Sequence, residues 1–201
     1  SFYNETNGEA ILPTPVIGGL GVVDELTKST QIAFRGAKDT IIVIGETTGW
    51  LGASSYLQQV EGQPNGAPPP VDLPLELKNG EFVRTQIIAG CTTACHDISD
   101  GGLIVALAEM ALAGNIGAEI EPNDLSLPLH AWLFGEDQAR YILTTANPEV
   151  MLEAAEAAGV VASMIGHTGG SSLTVSGSHT ISISELRDVH ERWLPEYMAT
   201  P

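Results

Sequence analysis

Cys95-His96-Asp97-Ile98-Ser99-Asp100-Gly101-Gly102-Leu103 holds a strand end, a tight polar turn and a helix start within nine residues. Ser99 or Asp100 is placed to cap the helix, whose apolar positions begin at Leu103, Val105, Ala106, Leu107 and Met110. Gly101 and Gly102 let a ligand come close to the backbone. The free N–H groups of a helix start attract anions, and Asp97 and Asp100 would repel them unless a metal ion stood between. Two readings follow. One is a capped helix after a glycine turn. The other is a metal-phosphate site in which a carboxylate, Asp97 or Asp100, stands beside the glycine turn, with His96 next to Asp97 at the strand end. For His96 itself the plain alternative is a satisfied core histidine.

Outward from this turn, short apolar runs alternate with helical patterns. Upstream, Thr40 to Gly45 reads as a buried strand, Gly45 to Gly52 as a loop, Ser54 to Val60 as a short helix and Gly62 to Pro70 as a surface loop. Asp72 is expected to cap a helix running to about Ala89, with Leu75, Leu77, Phe82, Ile87 and Ile88 on its apolar face. Downstream, strands are expected at Ala118 to Ile120, Ala139 to Thr144, Val160 to Gly166, Ser172 to Val175 and His179 to Ile183. Helices are expected from Gly101 to about Ala113, within Leu127 to Phe134, from Pro148 to a stop at Gly159, and from a Ser184 cap to about Met198. The class is α/β with an α+β flavour, because the closely spaced late strands imply antiparallel pairing.

The 201 residues are 43% hydrophobic, enough for one domain or one and a half. Few aromatics, 22 glycines and 12 prolines favour short elements over a long bundle. The formal charge is −17, from 25 acidic and 8 basic residues, which disfavours nucleic acid and anionic membranes as partners. A phosphate would need backbone N–H groups, a metal, or bases from another chain. No apolar run reaches the roughly 18 residues of a membrane span. No stretch has the make-up of a signal peptide. Cys91 and Cys95, spaced Cys-x3-Cys without a second pair, read as reduced core thiols. The expected location is the cytosol.

Residues 1–30 read differently from the rest. Ile17-Gly18-Gly19-Leu20-Gly21-Val22-Val23-Asp24 has the pattern of a buried, glycine-loosened strand whose neighbours are lacking. The expectation is that residues 1–30 are terminal strands of a sheet domain whose body lies elsewhere, and that 31–201 form the α/β domain. Two further polar stretches draw notice. Glu136-Asp137-Gln138 sits in a turn before a buried strand. It is either a solvated turn or, if near Asp97 in space, a holder of a metal or of sugar hydroxyls. Gly45-Glu46-Thr47-Thr48-Gly49 loosely resembles a phosphate-holding loop but lacks the Lys-Ser/Thr of a Walker A motif. There is no Gly-x-Ser-x-Gly, and the five histidines show no metal-ligand spacing.

Three blocks in order carry a resemblance: Ser1-Phe2-Tyr3-Asn4-Glu5-Thr6-Asn7-Gly8 with Ile11 to Gly18, Gly45-Glu46 through Leu51 to Leu57, and His96 to Leu103. Together they resemble the second half of the phosphoribosylformylglycinamidine synthases of the small bacterial type, within the aminoimidazole ribonucleotide synthetase-like superfamily. The resemblance covers nearly the whole sequence. It implies a C-terminal-type α/β domain, a mixed sheet packed with helices, preceded by the last strands of an N-terminal-type domain. It implies part of a ligase of purine biosynthesis that uses ATP and magnesium. In that reaction formylglycinamide ribonucleotide and glutamine-derived ammonia give the amidine. ATP activates the formamide oxygen as an iminophosphate, and ammonia displaces phosphate. Implied partners are the preceding domains, a glutaminase subunit and a small third subunit. By the same resemblance Ser1 contacts substrate. Asp97 is the pseudo-equivalent of a magnesium ligand. Glu136-Asp137-Gln138 resembles a substrate-contacting Glu-Ser-Gln turn, with an added negative charge at Asp137. No catalytic residue of that family falls within these 201 residues, so the chain alone is expected to be inactive. The other readings are a vestigial nucleotide-binding or scaffold module, built around His96, Asp97, Asp100, Gly101, Gly102 and the 136–138 turn, and another ATP-dependent member of the same superfamily.

Overall fold

A computed structural model describes residues 4–11, 16–63, 65–122 and 126–199. After a small hairpin of β1 (Glu5–Thr6) and β2 (Glu9–Ala10), the elements run β3 (Thr40–Ile44), α1 (Ser55–Val60), α2 (Leu73–Ile88), β4 (Ala94–Asp97), α3 (Gly102–Gly114), β5 (Ala118–Ile120), α4 (Leu129–Phe134), β6 (Tyr141–Thr145), α5 (Pro148–Ala158), β7 (Ala162–Thr168), β8 (Ser172–Val175), β9 (His179–Ser182) and α6 (Ile183–Ala199).

β3 to β9 form one seven-stranded sheet in the order β4-β6-β3-β7-β5-β8-β9. All neighbours are antiparallel except the parallel pair β5 and β8. Strands consecutive in sequence are mostly not neighbours in the sheet, so the intervening helices do not produce a parallel sheet. The mixed α/β class with antiparallel character is what the late strands led one to expect.

β3 lies inside the sheet between β6 and β7 and is buried along its whole length. Side chains alternate across a strand, so its residues divide between two cores. Ile41 and Val43 face Leu103, Leu107 and Met110 of α3 and Trp132 of α4. Ile42 and Ile44 face Phe82 and Val83 of α2 and Met151 and Ala155 of α5. Helices therefore cover both faces of the sheet.

Three local expectations are corrected. The 17–24 segment is no strand: its described residues are exposed throughout, with Leu20 fully so. A strand needs a partner ladder, and none of the described residues supplies one. Helix α2 does start at an Asp72 cap, but Leu75 and Leu77 face outward. Its inner face carries Asn79, Phe82, Val83 and Gln86, and the Asn79 amide donates to the Ala139 carbonyl at 2.9 Å. Helix α6 is capped by Ser182 in place of Ser184. The Ser182 hydroxyl accepts the Glu185 N–H at 3.1 Å, and the Glu185 carboxylate accepts the Ser182 N–H at 3.1 Å. This is a reciprocal capping box.

Candidate functional site

The turn after β4 is held by its neighbours at every step. Ile98 is buried, and its N–H donates to the Arg140 carbonyl at 3.0 Å, extending the β4–β6 pairing. Ser99 and Asp100 are exposed, and neither side chain caps α3. The cap residue is Gly101, in the left-handed region at φ +82, and Gly102 follows at φ +72. Both conformations favour glycine. A Cβ on Gly102 would lie 2.6 Å from the Gly135 carbonyl, so the helix start sits directly on the 134–135 backbone.

In place of a local cap, Glu136 reaches across. Its Oε1 accepts the Gly101 N–H at 2.8 Å and the Ser55 N–H at 2.9 Å, tying the starts of α1 and α3 to one oxygen. Asp137 does the same for the 45–54 loop. It accepts the Thr48 hydroxyl, the Gly49 N–H at 3.1 Å and the Trp50 N–H at 3.2 Å. The Glu136 N–H returns a bond to the Trp50 carbonyl at 2.9 Å. Beneath them lies Arg140, with its side chain wholly buried. Its guanidinium donates to the carbonyls of Asp137 and Gly135 and to the Thr47 hydroxyl, and pairs with the Asp137 carboxylate at 3.6 Å. Burial lowers the Arg140 pKa, and the Asp137 charge acts against that fall. The 136–137 turn is thus a brace, while Gln138 alone points to solvent, its amide donating to the Glu136 carbonyl.

His96 and Asp97 find other partners. His96 Nδ1 lies 3.0 Å from Asp97 Oδ1, and its Nε2 lies 3.0 Å from Glu109 Oε2 on α3. His96 and Glu109 form one end of an apolar groove of about 1060 Å³ between α3, β8, β9 and α6. Glu46, Thr47 and Thr48 of the 45–54 loop, with Trp132 and Ser163, line a cavity of about 220 Å³. Burial, with the Asp97 charge second, pushes the Cys95 thiol up to about 12, consistent with an inert core thiol.

The structure therefore joins Gly101 and Gly102 to the Glu136-Asp137 turn, and places His96 against Glu109 of α3 with Asp97 exposed beside it. Ser1 lies outside the described residues. Sequence reasoning missed Thr48, Gly49, Trp50 and Arg140 as partners of the turn. One signal was present: an arginine at the start of an apolar strand, three residues after an aspartate, requires a buried counter-charge. As for magnesium, no group of three or more His, Cys, Asp or Glu among the described residues is arranged to hold a metal. The Asp137 oxygens and Glu136 Oε1 are engaged by donors. Asp97, with 61% of its side chain exposed and one oxygen 3.0 Å from His96 Nδ1, and Asp100, also exposed, are the carboxylates of the expected set that face solvent. One or two carboxylates are what a magnesium ion carried by phosphates and water takes from a protein.

Comparison with known proteins agrees with this architecture. Residues 36–177 match the model of the AIR synthase related protein, C-terminal domain. Phosphoribosylformylglycinamidine synthase subunit PurL of Rhodopseudomonas palustris (strain BisA53) is 53% identical over 201 residues, covering 99% of this chain and 27% of that protein. The PurL of Parvibaculum lavamentivorans is 53% identical over 203 residues, with the same coverage. The chain thus spans about a quarter of the length of these curated relatives. Among solved structures, Thermotoga maritima PurL complexed with FGAR superposes with a TM-score of 0.65 at 18% identity, covering 79% of this chain and 29% of that one. The PurLQS structure from Thermotoga maritima gives 0.60 at 16%, covering 79% and 27%. At those identities the superpositions speak for the fold. The seven-stranded sheet clad by helices on both faces and the family match over 36–177 together place this chain in the family of AIR synthase related proteins, as a C-terminal domain.

Proposed function

We propose that this chain is part of a phosphoribosylformylglycinamidine synthase large subunit, and that residues 31–201 are the C-terminal-type domain of its second half. The observation that carries the reading is 53% identity across 99% of the chain to PurL subunits. Residues 1–30, which carry the β1–β2 hairpin, then belong to a neighbouring sheet domain and pack against its body. The exposed apolar side chains of Val16, Ile17, Leu20 and Val22 support this, since burial against a neighbour would remove that surface from water.

The assembled protein converts formylglycinamide ribonucleotide, ammonia from glutamine and ATP to the amidine, ADP and phosphate. A glutaminase and a small third subunit are its partners. Solved Thermotoga maritima PurL structures hold ATP, ADP and AMPPCP, which supports ATP as the nucleotide. Magnesium, when bound, shields the phosphate charges, and Asp97 is the residue of this chain that would touch it. Ser1 is assigned to the substrate. No helix among the described residues is long and apolar enough to cross a membrane, and both cysteines are free, which supports a cytoplasmic enzyme.

A second reading, a scaffold domain without a working nucleotide site, is favoured by one observation. The donors around Glu136 and Asp137 are already satisfied from within the chain.

The test is a segment exchange. This sequence replaces the matching segment of Rhodopseudomonas palustris PurL, and amidine formation is assayed with ammonia and ATP. Activity close to the parent is expected. A soluble, folded chimera without activity would overturn the proposal. In an active chimera, Asp97→Asn separates the two readings. A raised magnesium requirement assigns Asp97 to the nucleotide, and unchanged kinetics make the domain a scaffold.

A further inference from the structure

The donors around the 136–137 turn form two anion sites, each filled from within. The first is the Thr48 hydroxyl and Trp50 N–H, both donating to Asp137 Oδ1, with the Gly49 N–H donating to Oδ2 and Arg140 Nη2 3.6 Å from Oδ2. Gly49 sits at φ +74, and the successive N–H groups of Gly49 and Trp50 reach the two oxygens of one carboxylate, Oδ2 and Oδ1. Such a nest with a hydroxyl and a guanidinium is the donor set that elsewhere binds phosphate. Here Asp137, itself buried, occupies it. The second site is the pair of helix-start N–H groups at Ser55 and Gly101, which converge on Glu136 Oε1. Gly102, the next donor along α3, is also spent: its N–H goes to the Ser99 carbonyl at 3.0 Å.

We infer that Glu136 and Asp137 are built-in anions that occupy these two donor clusters from inside the chain and close them to phosphate. A tethered carboxylate competes at an effective concentration far above that of a free ligand, because its translational entropy has already been lost. The consequence is mechanical as well as chemical. The 45–54 loop, α1 and the α3 start keep one conformation whether or not a nucleotide is near. Glu136 and Asp137 are positioning residues. What this chain presents to a nucleotide is the exposed pair Asp97 and Asp100 after β4, and the loop N–H groups take no part. The inference stands on this chain's own contacts. Failure of the segment exchange would leave it standing, and its own failure would leave the family reading standing.

The experiment is hydrogen exchange by mass spectrometry on the intact protein, read on peptides covering 48–50, 54–57 and 99–103. In the unaltered protein, millimolar inorganic phosphate should leave all three unchanged. In Asp137→Ala the 48–50 amides should exchange about tenfold faster, the factor expected for losing one charged hydrogen-bond acceptor. Millimolar formate or phosphate should slow them again, as an anion in trans refills the nest. Asp137→Asn, which keeps the shape without the charge, tests the same site if the alanine variant does not fold, and should show a smaller loss. Glu136→Gln should loosen 54–57 and 99–103 together, since one oxygen serves both. Three results would overturn the inference: phosphate slowing exchange at 48–50 in the unaltered protein, unchanged protection in both Asp137 variants, or a loss of protection that neither formate nor phosphate reverses.

Discussion

Arg140 and Asp137, three residues apart, form an ion pair at 3.6 Å in which the guanidinium side chain is wholly buried. The pair does more than cancel charge. Arg140 Nε donates to the Asp137 carbonyl at 3.2 Å, Nη1 to the Thr47 hydroxyl at 3.1 Å and Nη2 to the Gly135 carbonyl at 2.5 Å. One side chain thus joins the 135–138 turn to the 45–54 loop.

Arg140→Met is expected to cost about 3–5 kcal/mol, because it leaves the Asp137 carboxylate buried without its partner. Arg140→Lys should recover little, since a point charge cannot serve three acceptors in the directions of a planar fork. The double variant Arg140→Met, Asp137→Asn should lose clearly less than the sum of the two singles. Urea unfolding of the four proteins completes the cycle. Strict additivity would show that the two side chains act independently.

Gly102→Ala should destabilise more than Gly101→Ala, although both glycines have positive φ. At Gly101 the new Cβ meets the Val105 side chain at 2.5 Å, and a side chain can turn aside. At Gly102 it meets backbone, the Gly135 carbonyl oxygen at 2.6 Å and the Phe134 carbonyl carbon at 2.7 Å, which cannot. Left-handed strain alone costs roughly 1–2 kcal/mol. The backbone clash adds about 1–3 kcal/mol at Gly102 only. Denaturant midpoints of the two variants give the order directly, and an equal loss would mean that α3 can shift away from the 134–135 backbone.

Local signals were the legible ones. The unbroken apolar run of β3, the Asp72 cap of α2, and the Pro148 start and Gly159 stop of α5 each declare themselves within a few residues, and each is present. The turn from β4 to α3 was legible for the same reason, including its two glycines. What could not be read depends on partners far along the chain. The inner face of α2 carries Asn79 because its amide meets the Ala139 carbonyl, 60 residues away. The apolar pattern of 17–24 resembles a strand, but strand formation is decided by a neighbour, and pattern alone does not supply one. The acidic turn looked like a solvated loop or a ligand holder. Its role as a brace rests on bonds from Asp137 to Gly49 and Trp50, separated by 88 and 87 residues. The blocks resembling the amidine synthases pointed to the family without defining that brace.

The protein should lose stability as the pH rises above about 8.5, and two residues account for it. Burial, with Asp97 second, holds the Cys95 thiol up to about 12. Tyr141 is the second. Burial is the leading cause that holds its phenol well above the ordinary tyrosine range. Its hydrogen bond to the Glu76 carboxylate, the Glu76 charge, Asp97 and Cys95 add to the effect. The two residues are diagonal neighbours across the β4–β6 pairing: Cys95 pairs with Leu143, and Tyr141 with Asp97. In the unfolded chain a cysteine titrates near 8.5 and a tyrosine near 10. The folded state keeps both protons over that range, so the native form binds more protons than the unfolded one and the slope of stability against pH is negative. The stabilising contribution is complete below about pH 8.5 and is lost progressively toward pH 12. Urea unfolding at several pH values between 7 and 11 should show this decline. Cys95→Ala should flatten its first part, and Tyr141→Phe the part above pH 10. Iodoacetamide at pH 8 should leave native Cys95 unmodified while the unfolded chain reacts. A double variant that keeps the full decline, or rapid alkylation of native Cys95, would place the alkaline sensitivity elsewhere in the fold.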